Sequence, residues 1–272
     1  MRPNGRLLFA LLLALAVPLG GSALAQGCGN DSAGFNRWLE SIKSDAAAQG
    51  ISQRTISSAL NGARYSNATI RLDRNQKVFK QSFEQFSGRM IPPRMGRAKN
   101  MLAKHAGLFA RIEQQIGVPK EIVVAIWGLE SDFGAVGGNA SVIDAVATLA
   151  YDCRRSAFFT GQLIDALRVI DRGDLTPAQM IGGLHGEIGQ TQFLPSSYFA
   201  FAVDFDGNGR RDLIKSTADV LGSTANYLRG HGWQPGQSWM PGSGNFNVIQ
   251  QWNKSEVYSR TVAEFARRLA EG

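Results

Sequence analysis

Gly117-Val118-Pro119-Lys120-Glu121-Ile122-Val123-Val124-Ala125-Ile126-Trp127-Gly128-Leu129-Glu130-Ser131-Asp132-Phe133-Gly134 is the stretch that decides the fold. Gly117 and Pro119 stop one helix and start another, with the proline near the first helical position and Glu121 in the first turn, where the helix dipole favours an acid. From Ile122 to Leu129 there is no charge. Residues four apart share a helix face, so Glu130 falls on the stripe that Ile122 and Ile126 define as buried. A carboxyl group in apolar surroundings is harder to ionise, so it stays protonated nearer neutral pH, as a general acid for glycosidic cleavage must. The competing reading is a helix-end glutamate paired with one of the arginines. Asp132, two positions on, lies on another face and reads as structural or solvated.

Outward from this helix the pattern stays helical. Apolar residues recur three or four apart at Phe35, Trp38, Leu39, Ile42 and at Val78, Phe79, Phe83, Phe86. Ile91-Pro92-Pro93-Arg94 breaks the chain, and a helix carrying Leu102, Leu108, Phe109, Ile112 and Ile116 follows. A C-terminal helix is predicted over 259–269, and the little extended structure over 198–212 and 246–251. There is no internal repeat or low-complexity tract.

Arg2 and Arg6 precede an apolar run from Leu7 to Leu19 and then small residues ending at Ala25, the layout of a secretory signal peptide over residues 1–25. The run is shorter than the roughly 20 residues of a membrane-spanning helix. Lipid attachment at Cys28 is the lesser alternative, since Ala25 stands where such signals carry Leu. Cys28 and Cys153 are the only cysteines of the 272-residue chain, and a pair in an exported protein predicts one disulfide. A net charge of +7 suits an anionic wall polymer as well as nucleic acid, but export and the lack of a nucleic-acid-binding motif argue for the former.

The segment Ala125 to Gly134 resembles the catalytic segment of the lytic murein transglycosylase B family, relatives of the lysozyme superfamily. Asp152-Cys153-Arg154-Arg155-Ser156-Ala157-Phe158-Phe159, Gly186-Glu187-Ile188-Gly189-Gln190-Thr191-Gln192-Phe193-Leu194-Pro195-Ser196-Ser197-Tyr198, Ala225-Asn226-Tyr227-Leu228 and His231-Gly232-Trp233 resemble further family blocks in the family's order. The resemblance implies peptidoglycan as substrate and cleavage of the β-1,4 bond between N-acetylmuramic acid and N-acetylglucosamine. The muramyl 6-hydroxyl would capture the cleaved centre and leave a 1,6-anhydromuramyl end. Most glycosidases use two carboxylates. In this family one suffices, so Glu130 would act as acid and then as base.

The resemblance also implies sugar or peptide contacts for Ser131, Gln192, Phe193, Tyr227, Trp252 and Asn253, and carboxylate binding for Arg154 and Arg155. Leu184 and His185 depart from the Trp and Ala common in relatives, and Gly183 stands where a Ser or small residue occurs. Asp204-Phe205-Asp206-Gly207-Asn208-Gly209-Arg210 fits the first half of an EF-hand loop, spanning 204–215. Position 12 is Lys215 instead of a bidentate Glu, and the family implies a later acid, Asp219, to close a structural calcium site of Asp204, Asp206, Asn208, Arg210 and Asp219. A turn without metal is the alternative, and no cofactor is expected for catalysis.

The expected architecture is mainly α: a helical subdomain over 26–110 completed by 255–272, and a lysozyme-like catalytic core over 111–254. The expected setting is the periplasm, as a monomer on glycan strands, with cell-wall synthesis proteins as further partners. Two rival functions stay open: a lysozyme-type muramidase that delivers water, and a non-catalytic wall-binding protein.

Overall fold

The computed structural model describes residues 27–75 and 81–272. The signal segment, and Val78 and Phe79 of the predicted helix, lie outside those residues. Among the described residues there are thirteen α-helices and one two-stranded antiparallel sheet, as the mainly helical pattern predicts. No helix among them is long and apolar enough to cross a membrane.

The charge-free stretch forms α7 (Lys120–Ser131), and every residue from Ile122 to Leu129 is buried. A helix apolar all round must be covered all round. The cover consists of α5 (Pro92–Lys104), α6 (Ala106–Ile116), α11 (Thr217–Gly230) and α13 (Glu256–Ala270), all packed on α7. A second buried helix, α8 (Val142–Tyr151), packs on α9 (Ser156–Asp171), and α10 (Pro195–Phe201) closes over α9.

The described residues of the expected helical subdomain divide in their packing. The helices α1 (Phe35–Ala48), α2 (Gln53–Leu60) and α3 (Asn67–Arg74) lie on α8 and α9. By contrast α4 (Phe83–Met90) and α5 pack with α13, which also reaches α7 and α12 (Gly244–Trp252). One contiguous apolar core runs from Phe35 to Leu269 through both groups.

Local chemistry sets the helix starts. Ser52, Ser66, Ser82, Ser141, Ser216, Ser243 and Ser255 each accept the backbone N–H three residues on, and Ser82 with Gln85 completes a capping box. The predicted break at Ile91 holds: α4 ends at Met90 and Pro92 opens α5. The long helix predicted beyond it is two, because His105 leaves the helical conformation and caps both α5 and α6.

The extended structure lies elsewhere than the sequence predicts. The strands are β1 (Ala140–Ser141) and β2 (Ile181–Gly182), paired antiparallel. Residues 246–251 lie inside α12, and 198–201 inside α10, with 202–212 an irregular loop. Short apolar runs such as Phe246, Val248, Ile249 cannot separate strand from helix by period alone, and the Ser243 cap decides for helix.

Cys28 and Cys153 form the disulfide, with Cα atoms 4.9 Å apart and a sequence separation of 125. Beside it the Gly29 N–H donates to the Tyr151 carbonyl at 2.9 Å, so the start of the described chain is tied to the end of α8. Closing so long a loop restricts the unfolded chain and contributes about 2–4 kcal/mol. Reduction, or Cys153→Ser, is expected to lower Tm by roughly 4–16 °C in a thermal melt followed by circular dichroism.

Candidate active site

Glu130 sits at the last turn of α7, half-buried, where the helix leaves the core. Two side chains from other elements reach its carboxyl. Trp252, the last residue of α12, donates its indole N–H to Glu130 Oε1 at 2.8 Å, and Tyr258, in the first turn of α13, donates its hydroxyl to the same oxygen at 2.5 Å. Oε2 accepts no such donor among the described residues. Burial pushes the Glu130 carboxyl above its ordinary range against the pull of these two hydrogen bonds, and the negative charge of Glu187 adds to the rise. Burial and the neighbouring Glu130 push the Tyr258 phenol well above its own range, so it remains a donor. The result is a carboxyl with one oxygen anchored and the other available, protonated nearer neutral pH than an exposed glutamate.

The loop 182–194 forms the facing wall. Ile188 and Phe193 exchange backbone hydrogen bonds at 2.7 and 3.0 Å, folding the loop back on itself. At its tip Gln192 adopts a left-handed φ of 54°, a conformation that non-glycine residues hold only where surroundings enforce it. Its side-chain amide donates to the Gly189 carbonyl at 2.7 Å. Gln190 joins the wall to α7, accepting from the Trp127 indole and donating to the Ile214 carbonyl, both at 2.9 Å. Gly134, Gly138, Gly182, Gly189, Gln190 and Gln192 line a hollow at the end of α7.

Phe193 is 2 % exposed. Its ring meets Trp252 edge-on at 5.2 Å and Tyr227 at 5.8 Å, so it supports the indole that holds Glu130. Tyr227 contacts Trp252 at 4.9 Å, stacks on His231 at 4.1 Å and donates its hydroxyl to the Gln251 carbonyl at 2.7 Å. This aromatic cluster fixes the end of α12, and partly buried Trp252 is the member that reaches the Glu130 carboxyl.

Ser131 is buried and closes α7: its hydroxyl accepts the Gly134 N–H at 2.9 Å. Asp132 caps the helix in the left-handed region, with φ 52°, and pairs with Arg97 at 3.2 Å and Arg94 at 3.7 Å, the structural role its position predicts. Asn253 ends α12 and accepts the Ser255 N–H at 2.9 Å.

Arg154 and Arg155, held just past the disulfide, both clamp the buried carboxylate of Asp73 in α3. The guanidiniums outweigh the burial of Asp73 and hold its carboxyl below the usual range. Both arginine side chains are about two-fifths exposed, at 44% and 39%, so each keeps N–H donors facing solvent.

Oxygens of Asp204 and Asp206, in the loop 204–215, and of Asp219, in the first turn of α11, lie within 4.8 Å of one another. Asp204 accepts the N–H groups of Gly207, Asn208 and Gly209, and Asp219 those of Phe205, Asp206 and Asp212. Asn208 Oδ1 accepts the Arg210 N–H at 3.0 Å. An all-oxygen set of three carboxylates suits a hard divalent cation, so Asp204, Asp206 and Asp219 fit the expected ion.

Tyr258, Glu187 and Gln190 were not singled out in the sequence. Tyr258 sits three residues past a Ser cap, a signal for a helix start but not for what that start faces. Glu187 and Gln190 fall inside a quoted block, yet only the folded loop brings them to α7.

A match to the transglycosylase SLT domain covers residues 34–243. The chain is 41% identical over 127 residues to Membrane-bound lytic murein transglycosylase B of Escherichia coli (strain K12), a stretch that is 46% of this chain and 35% of that protein. The match therefore spans about a third of that curated relative. Among solved structures, SltB3 from Pseudomonas aeruginosa in complex with NAG-NAM-pentapeptide superimposes with a TM-score of 0.82 at 31% identity, over 88% of this chain and 80% of that one. The soluble lytic transglycosylase SltB1 from the same organism gives a TM-score of 0.80 at 25% identity, over 86% of this chain and 98% of that one. With the domain match covering most of its length, this chain belongs to the transglycosylase SLT domain family.

Proposed function

We propose that the protein is a peptidoglycan lytic transglycosylase in which Glu130 serves as acid and then as base. The observation that carries the reading is the Glu130 carboxyl itself: half-buried, raised in pKa and anchored through Oε1 by Trp252 and Tyr258, while Oε2 accepts no hydrogen bond among the described residues. Asp132, the nearby acid in sequence, is engaged with Arg94 and Arg97. SltB3 has been captured with NAG-NAM-pentapeptide and with NAG-anhNAM-pentapeptide, which supports the same substrate and an anhydro product here.

In the first step Glu130 gives its proton to the glycosidic oxygen as the bond to the muramyl C1 breaks, and the sugar takes on oxocarbenium character. The carboxylate left behind is stabilised by the Trp252 and Tyr258 donors. In the second, the muramyl 6-hydroxyl oxygen bonds to C1 and its proton passes to the Glu130 carboxylate. The 1,6-anhydro ring closes and the acid is restored, with no water consumed. Gln192 at the wall supplies an amide for sugar hydroxyls, and the exposed N–H groups of Arg154 and Arg155 supply donors for stem-peptide or lactyl carboxylates.

The apolar N-terminal run and the disulfide support export to an oxidising compartment, the periplasm. Asp204, Asp206 and Asp219 would hold a structural calcium ion, with Asn208 and Arg210 in the same loop. Bound there, the ion would neutralise the clustered carboxylates and stiffen the loop.

Mass spectrometry of digested sacculi is expected to find 1,6-anhydromuramyl ends with the wild type, and no muropeptide release with a folded Glu130→Gln variant. Reducing muramic ends in their place would make the protein a muramidase, and an unchanged E130Q digest would make it a wall-binding protein. Because the acid form is needed, activity should fall as pH rises through the Glu130 pKa. Tyr258→Phe removes a donor that favours the carboxylate, so the alkaline limb of the kcat profile should move up by about one pH unit. Chelation with EDTA should lower Tm, and added calcium should restore it.

A further inference from the structure

Gln190 stands where three walls of one hollow meet. Gly134 from the end of α7, Gly189, Gln190 and Gln192 from the wall loop, and Ile214 from the segment after the EF-hand-like turn line that hollow together. The Gln190 side chain bridges the other two walls: its Oε1 accepts the Trp127 indole N–H and its Nε2 donates to the Ile214 carbonyl, both at 2.9 Å. Its backbone N–H adds a third bond, to the Leu213 carbonyl at 2.9 Å. Trp127 and Glu130 are three apart on α7 and are neighbours on its surface. The approach is close enough to need glycine on both sides, since a Cβ on Gly134 would collide with Gln190 Oε1 and one on Gly189 with the Leu213 oxygen. The segment 213–214 is itself held: Asp212 donates its backbone N–H to Asp219 at 2.8 Å and accepts those of Ile214 and Lys215 at 2.9 Å each. Within the turn 189–192, the Gln192 amide bonds back to the Gly189 carbonyl and the Thr191 hydroxyl meets that of Thr224 in α11 at 3.2 Å, so Gln190 is the member whose side chain bonds to α7.

We propose that Gln190 is a positioning residue for glycan binding: its bridge from Trp127 to Ile214 holds the Gln192 wall at a fixed distance from the Glu130 end of α7, so that the hollow receives the sugar already formed. The inference rests on the reading of this cleft as the glycan site. Beyond the Ile188–Phe193 pair the turn has no regular pairing, and Gly189 and Gln192 both sit in the left-handed region, at φ 75° and 54°. For Gln192 that conformation costs free energy that surrounding bonds must offset. A wall without its tie to α7 would have to be ordered anew with each substrate, and that cost falls on binding and not on the bond-breaking step. The buried Trp127 indole also needs an acceptor. Glutamine presents an acceptor and a donor together at this reach, whereas glutamate keeps the acceptor alone and methionine neither in comparable strength.

The test compares wild type with Gln190→Met, Gln190→Glu, Trp127→Phe and the Q190M/W127F double variant on solubilised glycan strands carrying stem peptides, each well below its Tm, with folding checked by circular dichroism. With Q190M, KM is expected to rise roughly ten-fold while kcat changes by less than about three-fold. The Trp127 indole N–H cross-peak in the nitrogen-15 spectrum, assigned by its loss in W127F, should be displaced in Q190M. Q190E keeps the acceptor, so it should leave that cross-peak near its wild-type position and return KM part of the way. The double variant should raise KM no further than Q190M does, because both substitutions break the same bond. Q190E and W127F each break one side of the bridge and carry the comparison should Q190M fail to fold. A merely structural role would lower Tm and leave KM in place. An unchanged KM in folded Q190M with the cross-peak displaced, a loss confined to kcat, or effects of Q190M and W127F that multiply in the double variant would overturn the inference. Activity retained in Glu130→Gln would instead bring down the catalytic reading of the cleft, so the two failures are distinguishable.

Discussion

The site depends on the desolvation of one carboxyl group. Because α7 carries no charge from Ile122 to Leu129, it can be surrounded by other helices, and Glu130 is the first acid where the helix emerges. Burial that stabilises the fold therefore also sets the protonation of the group at its edge. A glutamate one turn earlier would lie deep in the core, where an unpaired charge is untenable. One turn later, past the left-handed Asp132, it would be solvated and would ionise as an ordinary acid.

The cover over α7 has a second consequence. Helix α13 must pack on α7 to bury Val262, Phe265, Ala266 and Leu269, and that packing delivers Tyr258 to Oε1. Helix α12 delivers Trp252 to the same oxygen, with Phe193 and Tyr227 behind the indole. Both donors oppose the rise that burial causes; in the proposed scheme they would matter most once the proton has left, by stabilising the carboxylate that would act as the base. A carboxyl made reluctant to ionise, but supported when it does, is suited to a group that gives a proton and takes one back.

The disulfide and the arginine pair belong to one local construction. Cys153 lies between Asp152, which pairs with Arg74 at 3.0 Å, and Arg154 and Arg155, which clamp Asp73. Arg74 and Asp73 are both in α3, so this corner fastens α3 to the end of α8 through charge while the disulfide fastens the chain near Gly27 to the same point. The arginines thus have a structural task whatever they bind. Their exposed donors are pre-oriented because Asp73 fixes them.

The sequence by itself determined the mainly helical class, the central buried helix, the disulfide pairing of the only two cysteines and the acid most in need of explanation. These follow from local period, charge and count, which no distant contact alters. It also marked the EF-hand-like loop, and the family resemblance pointed to Asp219, whose carboxylate lies with those of Asp204 and Asp206. The boundary at His105 and the true place of the strands were decided by tertiary context, since short apolar runs carry no distinctive period. Tyr258 on Glu130, 128 positions away, and Glu187 pinned over Gly183 were decided there too. Ser131, Phe193 and Tyr227, read from motifs as contacts, have polar groups or ring faces engaged within the protein. A motif fixes which residues recur, whereas the direction in which each side chain points is set by helices packed from distant parts of the chain.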